Sequence, residues 1–147
     1  MTPLGSLDIL LVEDNQDHAD FILNTLKDKD GTRTYWVKNG EEALQFLWQR
    51  RDTRALVVLL DLHLPKVDGH DVLRQIRRED SLRSIPVVVL TTSDRQEEID
   101  AAYRAGANGY VTKPLTLQEF VDKLHSLKQY WAFTSEIPAP QPQSVSG

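Results

Sequence analysis

The sequence predicts an α/β fold, a parallel sheet covered on both faces by helices. Three observations carry that expectation. Five short apolar or β-branched runs alternate with five stretches of helical periodicity, and such alternation implies right-handed crossovers and parallel strands. The run Leu56–Leu60 is apolar without a break, as in a strand covered on both faces. The chain has 147 residues, enough for one domain of roughly 100–200 residues.

Asp8-Ile9-Leu10-Leu11-Val12 reads as a buried strand. Asn15 is placed to cap a first helix whose stripe is Ala19, Ile22, Leu23 and Leu26. Gly31 breaks that helix. Arg33 to Val37 is β-branched and aromatic, hence a strand. Asn39-Gly40 opens a second helix with Ala43, Phe46 and Leu47 on one face. After the central strand Leu56–Leu60, Pro65 forces a turn, and Val72, Leu73 and Ile76 mark a third helix. Pro86 precedes the strand Val87 to Leu90, where a missing N–H is tolerated. Asp94 is expected to cap a fourth helix carrying Ile99, Ala102 and Tyr103, with Gly106 past its end. Tyr110-Val111-Thr112 is the fifth strand. Leu117, Phe120, Val121, Leu124 and Leu127 make the fifth helix.

Composition removes whole classes of function. There is no cysteine, which excludes disulfides, zinc fingers, iron–sulfur clusters and thiol nucleophiles. The longest apolar run, Ala55 to Leu60, is too short for a bilayer, and the first residues lack the features of a signal peptide. A cytoplasmic protein without membrane contact is expected. A net charge of −5 argues against nucleic acid as a partner. The histidines at 18, 63, 70 and 125 show no paired metal spacing. Arg74, Arg77 and Arg78 are read as the wet face of the third helix.

In doubly wound sheets, ligands sit beyond the carboxyl ends of the strands. Glu13 and Asp14 follow the first strand, Asp61 ends the third, Thr91 and Thr92 end the fourth, and Thr112, Lys113 and Pro114 end the fifth. Taken singly, each has an ordinary role: a solvated loop acid, a turn cap, a strand hydroxyl, a surface lysine. Their joint placement on one rim points to a site. Three carboxylates within about 5 Å repel by about 3 kcal/mol per pair at an effective dielectric near 20. They either raise their pKa values or bind a cation. Oxygen donors suit Mg²⁺ or Mn²⁺. A lysine and a threonine hydroxyl opposite the acids would complete a set of phosphoryl contacts, and a central carboxylate can form an acyl phosphate.

Four ordered segments carry a family resemblance. They are Ile9-Leu10-Leu11-Val12-Glu13-Asp14-Asn15, then Leu59-Leu60-Asp61-Leu62-His63-Leu64-Pro65 with Asp68-Gly69, then Pro86-Val87-Val88-Val89-Leu90-Thr91-Thr92, and Gly106-Ala107-Asn108-Gly109-Tyr110-Val111-Thr112-Lys113-Pro114. Together they resemble the receiver domain of two-component response regulators, the CheY-like superfamily. The resemblance implies the strand order 2-1-3-4-5 known for CheY, a receiver domain over residues 8–130, and a C-terminal extension over 131–147 that is partly helical and then flexible. It implies that Asp61 is the phosphoacceptor for a histidine kinase. Asp14 and Glu13 would hold Mg²⁺ (Mn²⁺ being possible chemically) with Asp61 and the backbone carbonyl of His63. Thr91 and Tyr110 would be the switch pair, and Lys113 would pair with the phosphoryl group. The Lys113–Pro114 bond is expected to be cis. Many receivers carry a tryptophan beside the acceptor; here that neighbour is Leu62, and Trp36, Trp48 and Trp131 are expected away from the site.

The Ile85–Ser93 segment, the Asp61–Pro65 turn and the aromatic Tyr130-Trp131 ending are similar to single-domain regulators of cyanobacterial phytochrome kinases. That similarity implies a light-regulated kinase as phosphodonor. With no output domain expected, the signal would leave through a surface. A homodimer on the side of the fourth helix, fifth strand and fifth helix is expected, with Phe21, Tyr130, Trp131 and Phe133 as contacts. The alternative is that Trp131 folds back over the chain's own first helix. Two rival functions belong to other classes. A haloacid-dehalogenase-type phosphatase would want an acid two residues after its nucleophile, where this chain has His63. A flavodoxin-like carrier would want hydroxyls and glycines where this chain has Glu13-Asp14.

Overall fold

A computed structural model of the protein describes residues 7–27, 31–52 and 54–131. Its elements run β1 (Leu7–Val12), α1 (Gln16–Leu26), β2 (Arg33–Val37), α2 (Gly40–Gln49), β3 (Ala55–Leu60), α3 (Gly69–Arg78), β4 (Val87–Thr91), α4 (Gln96–Ala105), β5 (Gly109–Thr112) and α5 (Leu117–Gln129). The five strands form one parallel sheet in the order β2-β1-β3-β4-β5. Fold class and strand order are as expected. Phe133 and the 132–147 segment of the expected extension lie outside the described residues.

Strand period two splits the core into two layers. Leu10 and Val12 of β1 join Val58 and Leu60 of β3 under α2, α3 and α4. Ile9 and Leu11 join Val57 and Leu59 under α1 and α5. Asn15, Asn39, Asp68 and Thr116 each cap a helix with a side-chain oxygen that accepts a backbone N–H. Gly106 closes α4 at φ 113°, a conformation a Cβ would disfavour.

Several local expectations fail, each for a packing reason. Asp94 does not cap α4. The N-cap is Arg95, with no side-chain cap bond, because the preceding loop is tied to the sheet: the Ser93 carbonyl accepts from Tyr110 Oη at 2.9 Å. Of the α4 stripe only Ala102 is buried, and Tyr103 is exposed. Leu117 is exposed too, since it occupies the overhanging first turn of α5. The Lys113–Pro114 bond is trans, and no cis bond occurs among the described residues; the X–Pro amide keeps the isomer favoured by about 0.5–1 kcal/mol.

Arg77 is not on a wet face. Its guanidinium donates to the carbonyls of Gly106, Arg83 and Ile85 and to Asn108 Oδ1, tying α3 to the loops that lead into β4 and β5. Phe21 meets Phe120 edge-on at 5.4 Å between ring centres. Phe21 and Trp131 both pack on the α1–α5 core layer, so the chain itself covers much of the patch expected to be free. Tyr130 remains half exposed.

Candidate functional site

The parallel ladder sets the height of every group on the carboxyl rim. Val12 stands level with Val37 and Leu60. The next residues carry the pairing one step further: Glu13 N–H donates to the Val37 carbonyl at 3.1 Å and Asp61 N–H to the Val12 carbonyl at 3.0 Å. Lys113 N–H donates to the Thr91 carbonyl at 2.6 Å. The backbone thus presents Glu13, Asp61, Thr91 and Lys113 from four adjacent strands.

The side chains converge. Lys113 Nζ donates to Glu13 Oε2 at 2.7 Å and to Asp61 Oδ2 at 3.4 Å. All three residues are buried, whereas Asp14 is exposed at the mouth. One carboxylate oxygen each from Glu13, Asp14 and Asp61 lies within 4.8 Å of the others. Burial pushes the Glu13 carboxyl above its ordinary value; the nearby Asp61 charge adds to this and the Lys113 hydrogen bond opposes it. An all-oxygen set with two buried carboxylates fits a hard divalent cation.

Asp61 Oδ1 accepts the His63 backbone N–H at 2.9 Å, which orients the carboxylate. The His63 imidazole is turned away, 3.8 Å from Glu98. Gly69 makes this turn possible. A Cβ there would stand 2.6 Å from Leu62 Cα and 2.8 Å from the Asp61 carbonyl oxygen. Thr91 is fully buried, and its Oγ1 has no hydrogen-bond partner among the described residues. Tyr110 is half-buried with its hydroxyl on Ser93; burial pushes its phenol above the ordinary value against that bond.

The structure therefore brings Glu13, Asp14, Asp61 and Lys113 together and places Thr91, Tyr110 and His63 around them. Sequence reasoning missed two neighbours. His18 Nδ1 lies 3.2 Å from Lys113 Nζ. Trp36 is not remote from the site: its indole N–H donates to the Glu13 carbonyl at 2.7 Å. Helical phase from the Asn15 cap could have placed His18 over the acids; nothing local signals Trp36.

The response regulator receiver domain family matches residues 9–125. The chain belongs to that family. The receiver is 43% identical to the probable methanogenesis regulatory protein FilR2 of Methanothrix harundinacea, over 90% of this chain and 88% of that one. It is 35% identical to the response regulator Rcp1 of Synechocystis, over 89% and 92%, whose Mn²⁺-bound crystal structure superposes with a TM-score of 0.81. The phosphorylated cyanobacterial phytochrome response regulator RcpA superposes with a TM-score of 0.83 at 33% identity, over 90% of this receiver and 98% of that chain. Among the described residues no helix is long and apolar enough to cross a membrane.

Proposed function

We propose that this receiver accepts a phosphoryl group from a histidine kinase onto Asp61 and passes the signal on by protein contact. The observation that carries the reading is the convergence on Asp61 of a buried ammonium and an acidic cluster, with the Thr91 hydroxyl at the end of the next strand buried and without a partner among the described residues. An Asp61 carboxylate oxygen attacks phosphorus, the P–N bond to the kinase imidazole breaks, and the imidazole leaves with its electron pair. Lys113 draws one phosphoryl oxygen and Thr91 Oγ1 donates to another. The Thr91 side chain then moves toward the site, and Tyr110 follows from its place on Ser93. Glu13, Asp14, Asp61 and the His63 carbonyl would hold Mg²⁺ or Mn²⁺, whose charge offsets that of the phosphoryl oxygens. The chain turns over only its own acyl phosphate and acts in the cytoplasm.

The receiver unit is residues 8–130, with 131–147 as an extension. The likeness to Rcp1 and RcpA supports a phytochrome-type kinase as donor. The higher identity to FilR2 favours a second reading, a kinase of another sensory class. A second copy of the chain is the proposed output partner. Its contact is the cleft of about 720 Å³ on α4, β5 and α5, where Tyr103 and Tyr130 stand exposed, so Phe21 has no part in it.

Labelling tests the core of this. Acetyl phosphate with Mg²⁺ should label the wild type stoichiometrically and leave Asp61→Asn unlabelled; label on Asp14 in that variant would overturn the assignment. Phosphotransfer from a phytochrome kinase against one from an unrelated kinase separates the two donors. Sedimentation of wild type and of a Tyr103→Glu, Tyr130→Glu variant tests the dimer.

A further inference from the structure

Lys113 brings three N–H donors to the site, and three acceptors meet them. Two are the carboxylates of Glu13 and Asp61, at 2.7 and 3.4 Å. The third is His18 Nδ1 at 3.2 Å. An ammonium has no lone pair, so Nδ1 accepts and Nε2 carries the ring proton. His18 is fixed by its backbone: Asn15 Oδ1 caps its N–H at 3.0 Å in the first turn of α1. Its side chain is 45% exposed and that of Lys113 only 4%. The contact joins a buried cation to a residue at the surface. Glu13 Oε1 lies 3.9 Å from the same ring nitrogen.

We infer that His18 is a positioning residue that holds Lys113 in its resting place and sets how readily the ammonium turns to a phosphoryl oxygen on Asp61. The inference rests on the phosphoacceptor reading above. Once phosphorylated, Asp61 is no longer a carboxylate, so its 3.4 Å contact gives way to the phosphoryl oxygen and Nζ must move to follow it. Hydrogen bonds to charged acceptors are roughly twice as strong as those to neutral ones. Glu13 remains a buried carboxylate; His18 is a neutral acceptor in this contact and exposed. Of the two partners left, the His18 bond is therefore the weaker and the one strained as Nζ moves, and it opposes the phosphorylated geometry.

Two substitutions separate this from simple packing. His18→Leu keeps bulk without an acceptor, and His18→Asn returns an oxygen near the position of Nδ1. The first readout is hydrogen exchange of the Lys113 ammonium by ¹⁵N NMR, with no phosphodonor present. Exchange should quicken in His18→Leu and stay slow in His18→Asn. The second is binding of fluoroberyllate, a phosphoryl mimic, with saturating Mg²⁺. His18→Leu should bind it about three- to tenfold more tightly, the upper end corresponding to about 1.4 kcal/mol. His18→Asn should stay within about twofold of wild type, and Mg²⁺ affinity alone should be the same in all three. Unchanged exchange in His18→Leu, no tightening there, or an Asn variant that behaves like the Leu variant would each overturn the inference. A wild type that takes no fluoroberyllate, while its lysine signal still responds to His18→Leu, would leave the lysine contact standing and remove the phosphoacceptor reading.

Discussion

Thr91→Val is expected to stabilise the resting protein while silencing it. The Thr91 hydroxyl is fully buried at the end of β4 and finds no partner among the described residues. An unsatisfied buried hydroxyl costs about 1–3 kcal/mol. Valine keeps the β-branched shape and puts a methyl where the hydroxyl was, so most of that cost is relieved without a cavity. A gain of about 1–2 kcal/mol follows. With a urea m-value of about 1.5–2 kcal/mol/M, the midpoint rises by about 0.5–1.3 M. Urea unfolding followed by circular dichroism reads this directly, with m unchanged. The same variant should still be labelled at Asp61, yet the NMR signals of Tyr110 should not shift on labelling. An unchanged or lower midpoint would mean that the hydroxyl is satisfied in the resting protein. A full Tyr110 shift would take Thr91 out of the switch.

Other substitutions probe both rims of the sheet. Asp8→Asn should cost about 3 kcal/mol by thermal unfolding, at the low end for a broken buried ion pair because Arg33 is 44% exposed. Burial opposes ionisation of Asp8, but hydrogen bonds from Arg33, Arg50 and Arg54 hold its carboxyl below the ordinary 3.8. Such an acid stabilises the fold above its unfolded value and loses that contribution as pH falls through the folded one. The wild type should therefore weaken below about pH 4, and Asp8→Asn should flatten that limb. Gly69→Ala should lower the rate of labelling at Asp61 and destabilise by about 1–3 kcal/mol, since its Cβ meets backbone rather than a side chain that can move. Mg²⁺ should alter tryptophan fluorescence through Trp36, whose indole is bonded to the Glu13 carbonyl, and Trp36→Phe should remove the response. Lys113→Ala should still bind Mg²⁺ but leave Tyr110 unresponsive to phosphorylation.

The sheet was legible because its signals are local. Each strand is a short apolar or β-branched and aromatic run, and four of the five helices open on a capping Asn, Asp or Thr within their own segment. The acids and Lys113 were legible for the same reason: strand ends in a parallel sheet share one rim, so four local positions define one place. What escaped depends on contacts distant in the chain. His18 meets a lysine 95 residues away, and Arg77 meets carbonyls and an asparagine up to 31 residues away. Trp36 sits in an edge strand whose pattern says only that it is extended. Phe21 looked free because the helical wheel of α1 knows nothing of Phe120 on α5. Asp94 failed as a cap because the loop before α4 answers to Tyr110 on β5.

Stability and responsiveness occupy opposite ends of the same strands. At the amino end, Asp8 is fully buried and bonded by three arginines from β2, the end of α2 and the approach to β3. Both Asp8 carboxylate oxygens have cationic partners, so that end gains little from any rearrangement. At the carboxyl end, the balance is left incomplete. Glu13 is ionisable and buried with its pKa pushed up, the Thr91 hydroxyl has no partner among the described residues, and α4 is seated by a single fully buried residue with no side-chain cap. A phosphoryl group on Asp61 would offer acceptors to Lys113 and Thr91 at once. The unmet Thr91 hydroxyl costs the resting state free energy that a phosphoryl acceptor would return. In the loop from Thr91 to α4, Thr92, Asp94 and Arg95 are exposed, and Tyr110 is bonded to Ser93. Pulling Thr91 toward the site would therefore move α4 and Tyr110 before it disturbed β1 or β3. α4 also carries the exposed Tyr103, so the surface beside that loop is the one a phosphoryl signal would reach first.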